Sequence, residues 1–340
     1  MKRILALLIV LLTLPYPAPA ETILPAGYAE GSPLPLVQAE TMSFFDRVDP
    51  AWFNLSGKPS YQNASRRGRY DLYTFPDGAT LAIDGSSGSA LNDAAVQYTV
   101  SATRAPYTSH AILFSSFALG DYLDGCDSFI GDAQALGRTA LPGLTLAQAE
   151  EAVTTLLNNL QVGFTPRLIW ALDMSRERIA LLGQRWNDSP SVPASSARLD
   201  YASVPADAEG FFLAFDFLLE GVPLRRASCQ AVAYVTAVGV QHFFLHCPYA
   251  PGTALASSDR LLTAEAALAS LRADGLAAST DSGVRLTLQY APARDAATGG
   301  MAFTPVWRMD FTPPQGNECS LLRWAEYSAV DGAWLADSSR

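Results

Sequence analysis

Apolar residues recur at helical spacing in two stretches of the chain. Leu146, Ala149, Val153, Leu156, Leu157 and Leu160 share one face of a helix that opens at Thr145 and stops at Gly163. Thr145 and Gln148, three residues apart, form the capping-box pattern, in which each side chain covers an amide that the first turn leaves open. Ala264, Ala267, Leu268 and Leu271 repeat the pattern after Thr263, with Gly275 as the stop. A further helix is predicted over 175–186. Elsewhere the pattern is that of strands and turns. Residues 70–75, 79–83 and 94–101 read as a meander around the Pro76-Asp77-Gly78 turn, and 167–172, 227–236 and 240–246 as strands. Residues 21–60 are rich in Pro, Gly and Ser and read as an extended lead-in, with a short helix over 38–48.

These elements predict an α+β fold: tandem units of one helix packed on a small antiparallel sheet, preceded by an N-terminal β-rich segment. The expected boundaries are a leader over 1–20, the lead-in over 21–60, a β-rich region over 61–143, and helix-on-sheet units over 144–250 and 255–340. Phe215-Asp216-Phe217 and Met309-Asp310-Phe311, each followed at similar distance by a Tyr-led run at Tyr234 and Tyr327, point to a diverged internal duplication.

The first twenty residues change the picture of where the chain works. Lys2 and Arg3, an apolar run over 4–14 and Ala18-Pro19-Ala20 are the three parts of a cleavable secretory signal peptide. The run is too short for a bilayer, which takes about 20 residues. The expected mature protein is therefore secreted or held outside the cytoplasm, with no integral membrane segment. Losing Lys2 and Arg3 takes the formal net charge from −10 to −12. That balance argues against nucleic acid, whose phosphates call for clustered Lys and Arg. The one dense basic cluster, Arg66, Arg67 and Arg69, reads as a solvated loop or strand edge.

Three later segments, Gly283 to Tyr290, Phe303 to Arg308 and Ser328 to Gly332, resemble the closing pattern of YycI-type accessory proteins of Gram-positive bacteria. PepSY-like domains share a related plan, and the whole chain resembles clostridial exported proteins of unknown function. The YycI resemblance covers chiefly 262–335. It implies a role in protein contact at the cell surface, modulating a membrane sensor kinase; the PepSY plan implies restraint of secreted peptidases. Neither brings catalytic residues with it.

Four cysteines, Cys126, Cys229, Cys247 and Cys319, allow three connectivities in an oxidising compartment. Cys229 and Cys247 each stand nine residues from Val238, the expected turn of a hairpin, so folding there sets the two opposite each other as a candidate disulfide. Cys126 and Cys319 are the remaining pair. Other candidate chemistry is weaker. His242 and His246 have a metal-like spacing only on a helix, and a strand is expected. Gly85-Ser86-Ser87-Gly88-Ser89 departs from a nucleophile elbow at its last position and reads as a turn. Asp121, Asp124, Asp127 and Asp132 read as a solvated acidic loop, with calcium the competing reading. Asn54, Asn63 and Asn187 open sequons. No motif marks catalytic residues, a cofactor or a metal site. The expected function is a non-enzymatic exported module that binds a protein or cell-envelope partner. Its alternative is an extracytoplasmic hydrolase or calcium-dependent enzyme, with His110 and the acidic 121–132 stretch as candidate residues.

Overall fold

A computed structural model describes residues 20–44, 47–53, 60–63, 71–83, 95–124, 137–190, 198–257, 260–273, 283–295, 298–312 and 323–337. The contacts divide the chain into two units. One comprises 1–36, 256–289 and 304–340; the other comprises 37–255 and 290–303, the division falling within four strands.

The second unit is built on a nine-stranded sheet. Its centre is β10 (Gly210–Leu219), whose sequence GFFLAFDFLL is apolar almost throughout because the strand is covered on both faces. β9 (Thr165–Met174) pairs antiparallel with one side of β10, and β12 (Gln230–Thr236) with the other. The short β11 (Val222–Pro223) turns back on the end of β10. From β12 the order continues through β13 (Gly239–His246), β6 (Ala95–Thr99), β5 (Thr80–Ile83), β4 (Asp71–Thr74) and β3 (Ser60–Asn63), antiparallel at every step.

Side chains alternate between the faces of this sheet. Leu172, Phe212 and Tyr234 lie opposite one another and join Trp170, Ile179, Phe114 and Tyr201 in a core formed under α1 (Pro106–Asp124) and α3 (Arg176–Asp188). The intervening residues, Phe211, Leu213, Phe215 and Ala233, are equally buried. They form the face against which α2 (Leu146–Asn159) packs, across β9, β10, β12 and β13. β7 (Ala140–Leu141) and β8 (Leu144–Thr145) form a small hairpin that leads into α2. β2 (Pro35–Thr41) pairs with β14 (Tyr249–Ser257).

In the first unit, β1 (Ala20–Ile23) runs parallel to β15 (Gly283–Arg294). The order continues through β16 (Met301–Thr312), β17 (Arg323–Ser328) and β18 (Trp334–Asp337). α4 (Ala264–Ala273) buries Ala264, Ala267, Leu268 and Leu271, and the Trp307 indole donates to the Leu262 carbonyl just before it.

This architecture overturns the expected α+β plan of one helix on each small sheet. The chain is mostly β, with eighteen strands and four α-helices among the described residues, and α2 lies on a sheet of nine strands whose opposite face carries α1 and α3. Residues 71–83 and 95–99 do not stand apart as a β-rich segment, because β6 pairs with β13 about 145 positions later in the chain. Local periodicity carries no trace of pairing at that separation. Two element readings change as well. Residues 35–41 form β2 where a helix over 38–48 was expected. Helix α1 was not among the expected elements: its polar residues, Thr108, Ser109, His110, Ser115, Ser116, Asp121 and Asp124, fall on several sides of the helix instead of in one stripe, so no helical period marks it. Among the described residues no helix is long and apolar enough to cross a membrane.

Candidate functional site

The inner face of α2 is settled by Ala149, Val153, Leu156 and Leu157, so Gln148, Glu151, Thr155 and Asn159 are turned outward by the helical period. The helix starts where it does because Thr145 Oγ1 accepts from the Gln148 amide while Gln148 Oε1 accepts from the Thr145 amide, at 3.2 and 2.8 Å. Two other segments rise beside this stripe. The 3₁₀ turn Pro50–Phe53 is tied at its start by Asp49, whose carboxylate accepts from the Ala51 amide at 2.9 Å. It is anchored at its end by Phe53, buried against Tyr98 and Phe243 with ring centroids 4.9 and 5.9 Å away. That anchoring holds Trp52 beside β13. The third wall is the start of β13, Gly239 and Val240, just after the turn in which Thr236 Oγ1 accepts from the Val238 amide.

Together these segments border an open groove of about 450 Å³, lined by Trp52, Gln148, Glu151, Thr155, Asn159 and Val240, with Ala152, Leu156 and Gly239 completing it. This lies within the range of about 300–1,000 Å³ usual for ligand sites. Its chemistry is one indole face, two primary amides, one hydroxyl and one carboxylate. Gln148 has its oxygen engaged by the helix cap, leaving its NH₂ to donate elsewhere. Among the described residues no basic side chain lines the groove. The sequence reading did not single it out, since a polar stripe on an amphipathic helix is what any solvent-facing helix shows and Trp52 lies in the lead-in.

The residues named from sequence are scattered. Cys229 and Cys247 are brought together: β12 and β13 pair Gln230 with His246, which sets the two cysteines opposite each other, both buried, their Sγ atoms 2.6 Å apart. Burial, and secondarily Cys247 itself, pushes the Cys229 thiol well above its ordinary pKa. His242 and His246 lie on β13 opposite Tyr234 and Gln230, where four residues span about 13 Å. Burial lowers the His242 pKa to about 4 against a small opposing effect of a hydrogen bond with the Tyr98 backbone.

His110 belongs to the core under α1. Its Nδ1 meets the Tyr201 hydroxyl, and its ring lies against Phe114, Trp186 and Tyr201 at centroid distances of 5.7, 6.3 and 6.0 Å. Burial lowers its pKa and raises that of Tyr201. Asp121 and Asp124 end α1, and their side chains, like all of Asp127 and Asp132, lie outside the described residues, as do Gly85 to Ser89, Arg66, Arg67, Arg69, Cys126, Cys319 and Asn54. Asn63 ends β3, and Asn187 Nδ2 donates to the Leu199 carbonyl near the end of α3. Among the described residues no group of three or more His, Cys, Asp and Glu is placed to hold a metal ion.

Fold and groove define a mostly β protein with helices on both faces of its larger sheet. No protein-family model matches the chain, and no curated protein is similar to it. Among solved structures it is similar to an uncharacterised protein from Eubacterium rectale ATCC 33656, at 14% identity over 93% of this chain and 90% of that one, with a TM-score of 0.52. At that identity the likeness speaks for the fold alone.

Proposed function

We propose that the chain is an exported, non-enzymatic binding module of the cell envelope, and that the groove along α2 receives an extended segment of a partner protein. The observation that carries this reading is the groove itself: an indole wall, an apolar floor at Leu156 and Val240, and outward amide and hydroxyl groups spaced along one helix. Such a surface offers apolar contact together with donors and acceptors for a peptide backbone. Among the described residues that line it the one charge is Glu151, and the whole chain carries −10, so the complementary segment is neutral or basic. The leader over 1–20 supports an extracytoplasmic address, and the likeness of 262–335 to YycI-type and PepSY-like proteins supports a protein as partner.

The test places a photo-crosslinking amino acid at Thr155, in the groove, and at the exposed Leu181 on α3 as a control, in the chain produced by its host. Crosslinking to one envelope protein from position 155, absent from 181 and reduced tenfold or more by Trp52→Ala with Glu151→Lys, is the expected result. Equal labelling from both positions, or labelling indifferent to those substitutions, overturns the assignment.

A further inference from the structure

We infer that Cys229 and Cys247 close a disulfide that pins the open end of the β12–β13 hairpin. Independent of what the α2 groove binds, the inference rests on register. Gln230 opposite His246 and Ala231 opposite Leu245 extend by one step to Cys229 opposite Cys247. Directly opposed residues on antiparallel strands have Cα atoms about 4.5–5.5 Å apart, inside the range of about 4.4–6.8 Å that a disulfide spans. Both side chains point to the face that carries Ala231 and Leu245 rather than to solvent, and each thiol has the other as its neighbour; Cys247 also meets the Tyr249 carbonyl, at 3.4 Å.

The cross-link gives the hairpin a second closure. At its other end the chain turns at Ala237 and Val238 and delivers Gly239 and Val240 to the groove wall. A bridge at 229–247 fixes the strand offset at the open end as the turn fixes it at the other, so one extra residue, Gln241 in the observed register, has to bulge between them.

The chemistry is thiol–disulfide exchange. One cysteine thiolate attacks a disulfide oxidant, forming a mixed disulfide and releasing one thiol of the oxidant; the second cysteine thiolate attacks that mixed disulfide and releases the other. Two protons and two electrons leave the protein, and the oxidant is reduced to two thiols. In the folded hairpin the Cys229 thiol is buried with its pKa raised, so thiolate is scarce there. The bridge therefore forms during folding, while the strands still meet solvent.

The test uses residues 21–340, refolded from denaturant in a buffer of glutathione and glutathione disulfide, so that the outcome is independent of where the host sends the chain. Remaining thiols are alkylated under denaturing conditions and the protein is digested without reductant. Chymotrypsin is the protease of choice, because no Lys or Arg separates the two cysteines while Tyr234 and Phe243 do. The expected product is a Cys229 peptide joined to a Cys247 peptide, two hydrogen masses below their sum. Reduction, or Cys229→Ser with Cys247→Ser, should lower Tm by roughly 5–10 °C. Both cysteines recovered singly alkylated, or either one joined to Cys126 or Cys319, overturns the inference, and this readout needs no variant to fold.

Discussion

Helices α2 and α4 each open on a threonine cap and each precedes four strands that pair one after another, β9-β10-β12-β13 after the first and β15-β16-β17-β18 after the second. The polar groups inside these stretches are satisfied differently. Asp216, in Phe-Asp-Phe on β10, takes Arg167 from the adjoining β9, its two oxygens accepting from Nε and Nη2 at 2.9 and 2.5 Å. Asp310, in Met-Asp-Phe on β16, takes Arg308 from its own strand, two residues back, at 2.9 Å. The caps differ in the opposite sense. Thr145 is completed locally by Gln148, whereas the helix after Thr263 also binds Glu30, whose Oε1 accepts from the Ala264 amide at 2.6 Å across 234 residues. Similar local sequence therefore fixes the need for a partner, and the surrounding chain fixes which partner meets it.

The comparison can be broken most forcefully at Gly210, six residues before Asp216, where β16 has Thr304 six residues before Asp310. A Cβ at Gly210 would sit 2.3 Å from the Val235 carbonyl, so Gly210→Val should cost about 3 kcal/mol or more in urea unfolding. Thr304→Val should cost under about 1 kcal/mol. Equal costs would show that the backbone of β10 is no more crowded than that of β16.

A second contrast is in pH. The His242 pKa falls from its ordinary 6.5 to about 4 in the folded chain, so between those values the unfolded chain binds a proton that the folded one does not. Stability of the β13 unit should therefore fall as pH drops from 6.5 to 4, by up to about 3 kcal/mol, and not fall further from this group below 4. His242→Gln should flatten that slope; an unchanged slope would assign it to carboxylates instead.

Smaller effects should separate the two Asp residues. Asp216→Asn should cost about 2 kcal/mol, since it removes a charge-assisted fork from a nearly buried carboxylate, and Asp310→Asn under about 1 kcal/mol, its carboxylate being more exposed. The caps come last. Thr145→Ala should cost about 1 kcal/mol at any salt concentration. Glu30→Gln should cost about 0.3–1 kcal/mol, and less at high salt, because part of its contribution is a negative charge at a helix N-terminus. Salt-independence at Glu30 would remove the electrostatic part of the difference.

Much of the local structure was legible. Thr145 and Thr263 do cap helices, the helix expected over 175–186 is α3, and the strand readings at 70–75, 79–83 and 94–101 fall on β4, β5 and β6. The cysteine geometry was legible for an incomplete reason. Equal spacing about Val238 suggests opposition, but the observed turn sets Thr236 against Gly239, which continued without interruption would place Cys229 opposite His246. The bulge at Gln241 shifts the register by one and restores the Cys229–Cys247 alignment. The groove was not legible, since β13 lies under α2 through sheet packing and Trp52 is carried to the same place by Phe53 packing on Tyr98 and Phe243.

By itself the sequence determined where three of the four described helices begin, which of their faces are apolar, and which short runs prefer to be extended, because those depend on neighbours three or four residues away. Tertiary structure alone decided that β6 would lie beside β13 and so join the early strands to the later ones, that one sheet would carry helices on both faces, and that Glu30 would cap a helix 234 residues downstream. Those outcomes turn on which distant surfaces exclude water together, and burial of apolar area is indifferent to separation along the chain.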